Sequence, residues 1–313
     1  MSTTEPPSPF HVAVIGLGSM GMGAARSCLR AGLATYGIDV RQEALDALSQ
    51  AGATAVGTDG RAFASRLDAV LLLPVNAAQC RSALFGPLGI APHLRPGTPV
   101  MVSATQSAAD ACRLNDALKA LDLPMLDAPV SGGSIRAAEG RITVMASGAS
   151  STLARLRPLL DAIAARVFEI GPDIGQGSTV KIIHQLLAGV HIAAAAESMA
   201  LASRAGIPLQ TLYDVVTSAA GNSWMFENRM PHVLKGDYTP HSSVDIFVKD
   251  LGLVLDTGQA LKFPTPIAAL AHSLFLNASN AGYGQQDDSA VIRNYAGIQL
   301  PGDDPDDVTG GEP

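Results

Sequence analysis

The chain has 313 residues, 47% of them hydrophobic and 16% charged, which is enough for two domains with a sizeable core and excludes disorder over most of its length. The formal net charge is −7, much of it from Asp303, Asp304, Asp306, Asp307 and Glu312 after Leu300, and no basic face is present to hold nucleic acid. Three cysteines without CxxC spacing, Cys28, Cys80 and Cys112, fit a reducing compartment.

Residues 1–10 are rich in Ser, Thr and Pro, with neither a basic start nor an apolar core, so they read as a flexible tail rather than a secretory signal. From residue 11 to about 170, short runs of Val, Ile and Leu alternate with helical patterns, the mark of an α/β Rossmann domain with a doubly wound, mainly parallel sheet. The predicted strands are 11–15, 35–39, 69–73, 100–103, 125–127, 142–146 and 167–170. The predicted helices between them are 20–31, 42–50, 108–121 and 151–163. After Gly177 strand runs vanish and helices are predicted at 178–205, 209–220, 223–234, 243–261, 266–281 and 288–296, punctuated by Pro208, Gly221, Gly236, Pro264 and Gly282. The expected organisation is a tail (1–10), an NAD-binding Rossmann domain (11–175), an all-helical substrate and oligomerisation domain (176–299) and a flexible acidic tail (300–313).

Gly16-Leu17-Gly18-Ser19-Met20-Gly21 follows the first strand and opens a helix, the context a dinucleotide fingerprint demands. Gly16 serves the tight turn, Gly18 lets the backbone approach a pyrophosphate, and Gly21 permits close packing of the helix. Asp39 ends the next strand, 18 residues beyond Gly21, where a carboxylate accepts hydrogen bonds from ribose hydroxyls and repels a 2′-phosphate. NAD is therefore favoured over NADP, although Asp39 could instead cap the next helix and Arg41 could greet a 2′-phosphate. Asp127-Ala-Pro-Val-Ser131-Gly132-Gly133 leaves a strand with a hydroxyl and two bare amides; it reads as an anion nest for a carboxylate or as a plain turn.

Lys181 is unusual. It heads the apolar stretch Ser178 to Ser203, in which Glu197 is the only other formal charge. The flexible Gly175-Gln176-Gly177 and the N-cap candidate Ser178 predict a helix that places Lys181 in its first turn, where the positive end of the helix dipole disfavours the ammonium. That suits a general base working near neutral pH; the structural alternative is a lysine that snorkels to water. The stretch is long enough to cross a membrane, but Lys181, His184, Gln185, His191 and Glu197 interrupt it and it lacks basic flanks, so a cytoplasmic protein without membrane contact is expected. His184 and His191 share a helix face, a spacing too wide for a metal pair, and no metal is expected. Lys249 and Asp250 lie in an amphipathic helix, where spacing alone reads as a solvated pair.

Together these residues resemble the β-hydroxyacid dehydrogenase family, which includes 3-hydroxyisobutyrate dehydrogenase. The resemblance runs from about His11 to Ile298 through Gly16 to Gly21, Leu73-Pro74, Asp127 to Gly133, Gly177-Ser-Thr-Val-Lys181 and Lys249-Asp250-Leu251. It implies that Lys181 is catalytic, that Ser131, Gly132 and Gly133 hold the substrate, and that Leu73, Pro74, Thr105 and Lys249 approach the cofactor. It also implies a Rossmann domain followed by a helical one, assembled as a homodimer or homotetramer through the long helix.

The chain departs from the commonest family pattern at His184-Gln185, where most members have Asn four residues after the lysine, and at Val102-Ser-Ala-Thr105, where Asp-x-Ser-Thr is usual. Two stretches, His184 to Ile192 and Ala220 to Asn228, are most similar to the L-threonate-oxidising branch, which points His184, Gln185 and Asn222 at a polyhydroxylated acid. The implied reaction is NAD-dependent oxidation of L-threonate to 2-dehydro-L-erythronate. The alternatives are tartronate semialdehyde reduction, 3-hydroxyisobutyrate oxidation, and a catalytically silent dinucleotide-binding module.

Overall fold

The computed structural model describes residues 9–302, so the two expected tails lie mostly outside the described residues. The chain divides into two compact units, the first ending at Lys181 and the second beginning at Ile182. The division falls inside a helix, six residues beyond the boundary read from the sequence.

The first unit runs β1 (His11–Ile15), α1 (Ser19–Arg30), β2 (Ala34–Ile38), α2 (Gln42–Gln50), β3 (Ala55–Gly57), β4 (Ala69–Leu72), α3 (Ala77–Phe85), β5 (Val100–Val102), α4 (Ala108–Lys119) and β6 (Met125–Asp127). These six strands are parallel in the order β3-β2-β1-β4-β5-β6, the doubly wound order whose reversal between β1 and β4 opens a crevice at the strand C-termini. The chain continues through β7 (Val130–Ser131), α5 (Gly133–Glu139), β8 (Ile142–Ser147), α6 (Ser150–Arg155), α7 (Arg157–Ile163) and β9 (Ala164–Gly171). Here the sheet changes sense: β8 is antiparallel to β6 and β7 and parallel to β9.

Strand residues alternate between faces, so Val12 and Val14 pack with Leu45, Leu48 and Leu160 in one core. Ala13 and Ile15 pack with Leu84, Ile90 and Leu114 in the other. Burial on both faces explains why the strands read as continuous apolar runs.

α8 (Gln176–Arg204) carries the chain out of the first unit. It is long and apolar enough to cross a membrane by composition, yet half of its most apolar window is buried in the protein. The second unit adds α9 (Leu209–Thr217), α10 (Trp224–Lys235), α11 (Val244–Ala260) and α12 (Pro266–Ala278), then a π turn (Ser279–Tyr283) and a 3-10 turn (Asp288–Asn294). Its core joins Ile192, Ala196 and Met199 of α8 to Phe247, Leu251 and Phe275. Small residues allow the close approach; a Cβ on Gly189 would lie 2.9 Å from Leu251 side-chain atoms.

Several elements differ from the sequence reading. The predicted helix 151–163 is two helices, because Leu156 leaves helical geometry (φ −85°, ψ 0°) two residues before Pro158. The predicted helix 288–296 is a 3-10 turn. β3, β7, α3 and α5 have no counterpart among the predicted elements.

Candidate active site

The glycine loop sits at the crevice. Gly16 has φ +88°, donates its N–H to the Ile38 carbonyl at 2.9 Å, and lies so close to Leu73-Pro74 that a Cβ would come within 2.9 Å of their backbone. A Cβ on Gly21 would lie 1.7 Å from the Gly16 carbonyl oxygen, so α1 packs against its own loop with no room for a methyl group. Gly18 is the contrast: it caps α1 with ordinary backbone angles, and a Cβ added to it would meet nothing within 4 Å. No side-chain capping bond closes the start of α1 either, which fits a pyrophosphate at a helix N-terminus.

Asp39 follows β2 and closes the loop from the side. One carboxylate oxygen accepts the Leu17 N–H at 2.6 Å; the other accepts the Arg41 N–H at 2.9 Å and its Nε at 3.1 Å. Arg41 in turn donates to the Leu17 carbonyl at 3.0 Å. Burial alone would raise the Asp39 pKa, but the bonds from Arg41 and Leu17 outweigh it and hold the carboxyl below its ordinary value. Asp39 does not cap the next helix: the N-cap of α2 is Arg41, with no side-chain capping bond. Thr105 is half-buried three residues past β5, at the same end of the sheet as the glycine loop.

Lys181 is 6% exposed. α8 begins at Gln176, two residues earlier than predicted, so Lys181 is its sixth residue and falls in the second turn. Ser178 is not the N-cap. Its hydroxyl donates to Asp127 Oδ1 at 2.7 Å and its N–H to Asp127 Oδ2 at 2.9 Å; the Gly175 N–H reaches the same Oδ2 at 3.0 Å. Ser147 completes the group, accepting the Gly177 N–H at 2.9 Å and donating to Asp127 Oδ2 at 3.3 Å. The cap of α8 thus comes from β6 and β8, 51 residues away in the case of Asp127 and Ser178. Burial pushes the Asp127 carboxyl above its ordinary range, and these donors pull it back toward the anion.

Ser131 ends β7, opposite Thr143 of β8, and Gly132 and Gly133 follow with φ +132° and +71° to start α5. The segment is a strand end feeding a short helix rather than a free turn, and both glycines occupy backbone that disfavours side chains.

In the second unit His184, Gln185, Lys249 and Asp250 are joined. His184 Nδ1 and Gln185 Oε1 are 3.0 Å apart, Gln185 Nε2 donates to Asp250 Oδ2 at 2.5 Å, and Lys249 Nζ lies 2.7 Å from Asp250 Oδ1. Because an amide oxygen only accepts, His184 carries its proton on Nδ1 in this bond. Asp250 is 2% exposed and Lys249 24%, so the solvated-pair reading of Lys249 does not hold. Asn222 stands in the turn before α10, its amide 3.5 Å from Glu227 and its Oδ1 buried without a hydrogen-bond partner among the described residues. No group of three His, Cys, Asp or Glu suited to a metal occurs among the described residues.

Sequence reasoning missed Ser147 and the roles of Asp127 and Asp250. Asp127 is visible as the first residue of its motif, but its partners lie too far along the chain for spacing to reveal.

Residues 11–171 match the family model for the NAD binding domain of 6-phosphogluconate dehydrogenase, and residues 175–295 that for NAD-binding of NADP-dependent 3-hydroxyisobutyrate dehydrogenase. The L-threonate dehydrogenase of Escherichia coli K12 is 63% identical over 295 residues, covering 94% of this chain and 98% of that protein. The L-threonate dehydrogenase of Cupriavidus necator is 53% identical, covering 93% and 98%. A crystal structure described as 3-hydroxyisobutyrate dehydrogenase from Salmonella typhimurium superposes with a TM-score of 0.88 at 62% identity, covering 91% of this chain and all of that one.

Proposed function

The chain belongs to the β-hydroxyacid dehydrogenase family of 3-hydroxyisobutyrate dehydrogenase and its relatives, and from that premise we propose that it oxidises L-threonate to 2-dehydro-L-erythronate with NAD. The observation that carries the substrate is the 53–63% identity, over nearly the full length of both partners, to proteins named L-threonate dehydrogenase. Residues 11–175 are the cofactor domain in this reading and 176–299 the substrate and oligomerisation domain.

The open space beside Gly18 and the uncapped start of α1 suit the pyrophosphate; the family resemblance assigns Leu17, Met20, Leu73, Pro74, Thr105 and Lys249 to the rest of the cofactor. Asp39, kept anionic by its bonds to Arg41 and Leu17, accepts from the ribose hydroxyls and repels a 2′-phosphate, which favours NAD over NADP. NAD, when bound, supplies the oxidant by taking up the hydride released from the carbinol carbon.

The protein supplies everything else. Ser131, Gly132 and Gly133 hold the substrate carboxylate. Lys181, as the neutral amine, takes the hydroxyl proton while the C–H bond breaks and the C=O bond forms, and returns it as the ammonium in the reverse direction. His184, Gln185 and Asn222 pair the remaining hydroxyls; the unpartnered buried Oδ1 of Asn222 is an acceptor waiting for such a donor. A site that must satisfy each hydroxyl rejects analogues that lack one. A silent binding module would have no need of this lysine or its polar surroundings.

A stripe of exposed Ile183, Leu187 and Leu201 along α8 supports a homodimer or homotetramer built on that helix; the enzyme is proposed to be cytoplasmic. Light scattering of the purified protein tests the assembly.

Oxidation of 3-hydroxyisobutyrate is the second reading, favoured by the description of the Salmonella structure. Initial rates of NADH formation with L-threonate, D-threonate, erythronates, 3-hydroxyisobutyrate, glycerate and L-serine decide between them. L-Threonate is expected to give the highest kcat/KM; a preference for 3-hydroxyisobutyrate would reverse the assignment, and turnover of none would support the silent module.

A further inference from the structure

We propose that Asp127 is the positioning residue of the lysine base: its carboxylate, with Ser147, clamps the first turn of α8 and so fixes both the place of Lys181 and its register against the segment that ends in Ser131. This inference rests on the reading of Lys181 as the base.

The first N–H groups of a helix have no partner within it and must find acceptors elsewhere. At the start of α8 the preceding loop supplies one, the Asp173 carbonyl, which accepts the Gln176 N–H at 3.3 Å. The others come from the sheet. Asp127 Oδ2 takes the Gly175 and Ser178 N–H groups, Ser147 Oγ takes that of Gly177, and Asp127 Oδ1 takes the Ser178 hydroxyl. The two capping side chains meet because Asp127 and Ser147 are the residues paired across the antiparallel contact between β6 and β8. The point where the sheet changes sense is therefore also the seat of the helix.

Packing leaves α8 little freedom there. A Cβ on Gly177 would stand 2.5 Å from the Met145 carbonyl oxygen and 2.7 Å from that of Asp127. Asp127 itself is fully buried. Ser178 and Lys181 are three residues apart on one helix, hence on one face and separated by about 4.5 Å of rise. In the other direction, four residues of chain lead from Asp127 to Ser131. One carboxylate thus ties the proposed acid-binding segment to the proposed base. Asp127 touches neither substrate nor cofactor in this account; it acts through α8.

Asp127→Ala leaves the N–H groups of Gly175 and Ser178 without their acceptor. A displacement of about 1 Å at a reacting group costs about 100-fold in rate, so kcat with L-threonate is expected to fall about 100-fold while KM for NAD stays within about threefold. Backbone amides 175–178 should exchange hydrogen faster. Asp127→Asn retains one carbonyl oxygen for both N–H groups, and its amide can donate to Ser178 Oγ, so it should recover at least about tenfold of the lost kcat. Asp127→Ala turning over within about threefold of the parent, or Asp127→Asn as slow as Asp127→Ala, would overturn the proposal.

If Asp127→Ala does not fold, Ser147→Ala provides the second arm: it removes the Gly177 acceptor, and an unchanged kcat would count against the clamp. Lys181→Met, measured beside them, separates the two ideas. Its retained turnover would refute the base, whereas a dead Lys181→Met beside a fully active Asp127→Ala would refute the clamp alone.

Discussion

Gly18 and Gly21 belong to one fingerprint yet should fail in different ways when each is replaced by alanine. A methyl group at Gly21 would sit 1.7 Å from the Gly16 carbonyl oxygen, backbone against backbone, with no side chain to rotate away. Overpacking of this kind costs about 1–3 kcal/mol, and at about 2–4 °C per kcal/mol for a unit of this size the unfolding midpoint should drop by about 2–12 °C. A methyl group at Gly18 meets nothing within 4 Å, and its φ of −66° suits alanine, so Gly18→Ala should melt within about 2 °C of the parent. The space it fills is the one assigned to the pyrophosphate. Losing one charge-assisted hydrogen bond there costs about 1.5–3 kcal/mol, so the Kd for NADH should rise about 10- to 150-fold. Differential scanning fluorimetry without ligand and a fluorescence titration with NADH read the two effects separately. A Gly18→Ala variant that binds NADH like the parent, or unfolds as early as Gly21→Ala, would refute the assignment of that space.

Asp39→Ser removes a carboxylate whose repulsion of a 2′-phosphate is worth up to about 4 kcal/mol at about 4 Å and an effective dielectric near 20. It also releases Arg41 from its ion pair; the ratio of kcat/KM for NADP to that for NAD should rise roughly 100-fold, and an unchanged ratio would show that Asp39 does not select the cofactor. Arg229→Met leaves Asp288 buried without its partner, from which it is now 2.7 Å. The expected cost is about 3–5 kcal/mol, seen as an earlier thermal transition with the NADH Kd unchanged, and a variant as stable as the parent would contradict it. Among the cysteines, Cys28 and Cys80 are buried and Cys112 is exposed, and burial pushes the Cys28 thiol up to about 12. A thiol reagent should therefore titrate one group in the native protein and three after denaturation; a native count of three would contradict the packing.

The parts of the fold readable in the sequence are those whose signal is local. β1, α2 and β6 are bounded to the residue because an apolar run meets a glycine loop, an amphipathic pattern lies between breaks, or a strand ends at an aspartate. β3 and β7, three and two residues long, are too short to show a period, and Ser131-Gly-Gly hides α5 behind a turn signature. The start of α8 is misread for a clearer reason. Ser178 is a good capping residue by type, but Asp127 and Ser147 supply the acceptors from distant strands, so the helix begins earlier and Ser178 serves as a donor.

The site is legible in the same uneven way. The fingerprint glycines lie between β1 and the first turn of α1 and Asp39 directly follows β2, whereas Lys181 lies in the second turn of α8 rather than the first. The bond from Gln185 to Asp250 spans 65 residues, and nothing in the spacing of either residue announces it. That bond changes the meaning of Lys249, which spacing alone assigns to solvent and which instead pairs with a buried carboxylate.

The central claim is that Lys181 is the base in NAD-dependent oxidation of L-threonate. Its most direct test is the rate of NADH formation from L-threonate at saturating NAD, measured for the parent protein and for Lys181→Met alongside their NADH affinities. The account predicts turnover by the parent, a loss of about 10²- to 10⁴-fold in the variant, and NADH affinities within about threefold of each other. A variant that turns over at the parent's rate, or a parent that leaves L-threonate untouched, would contradict it.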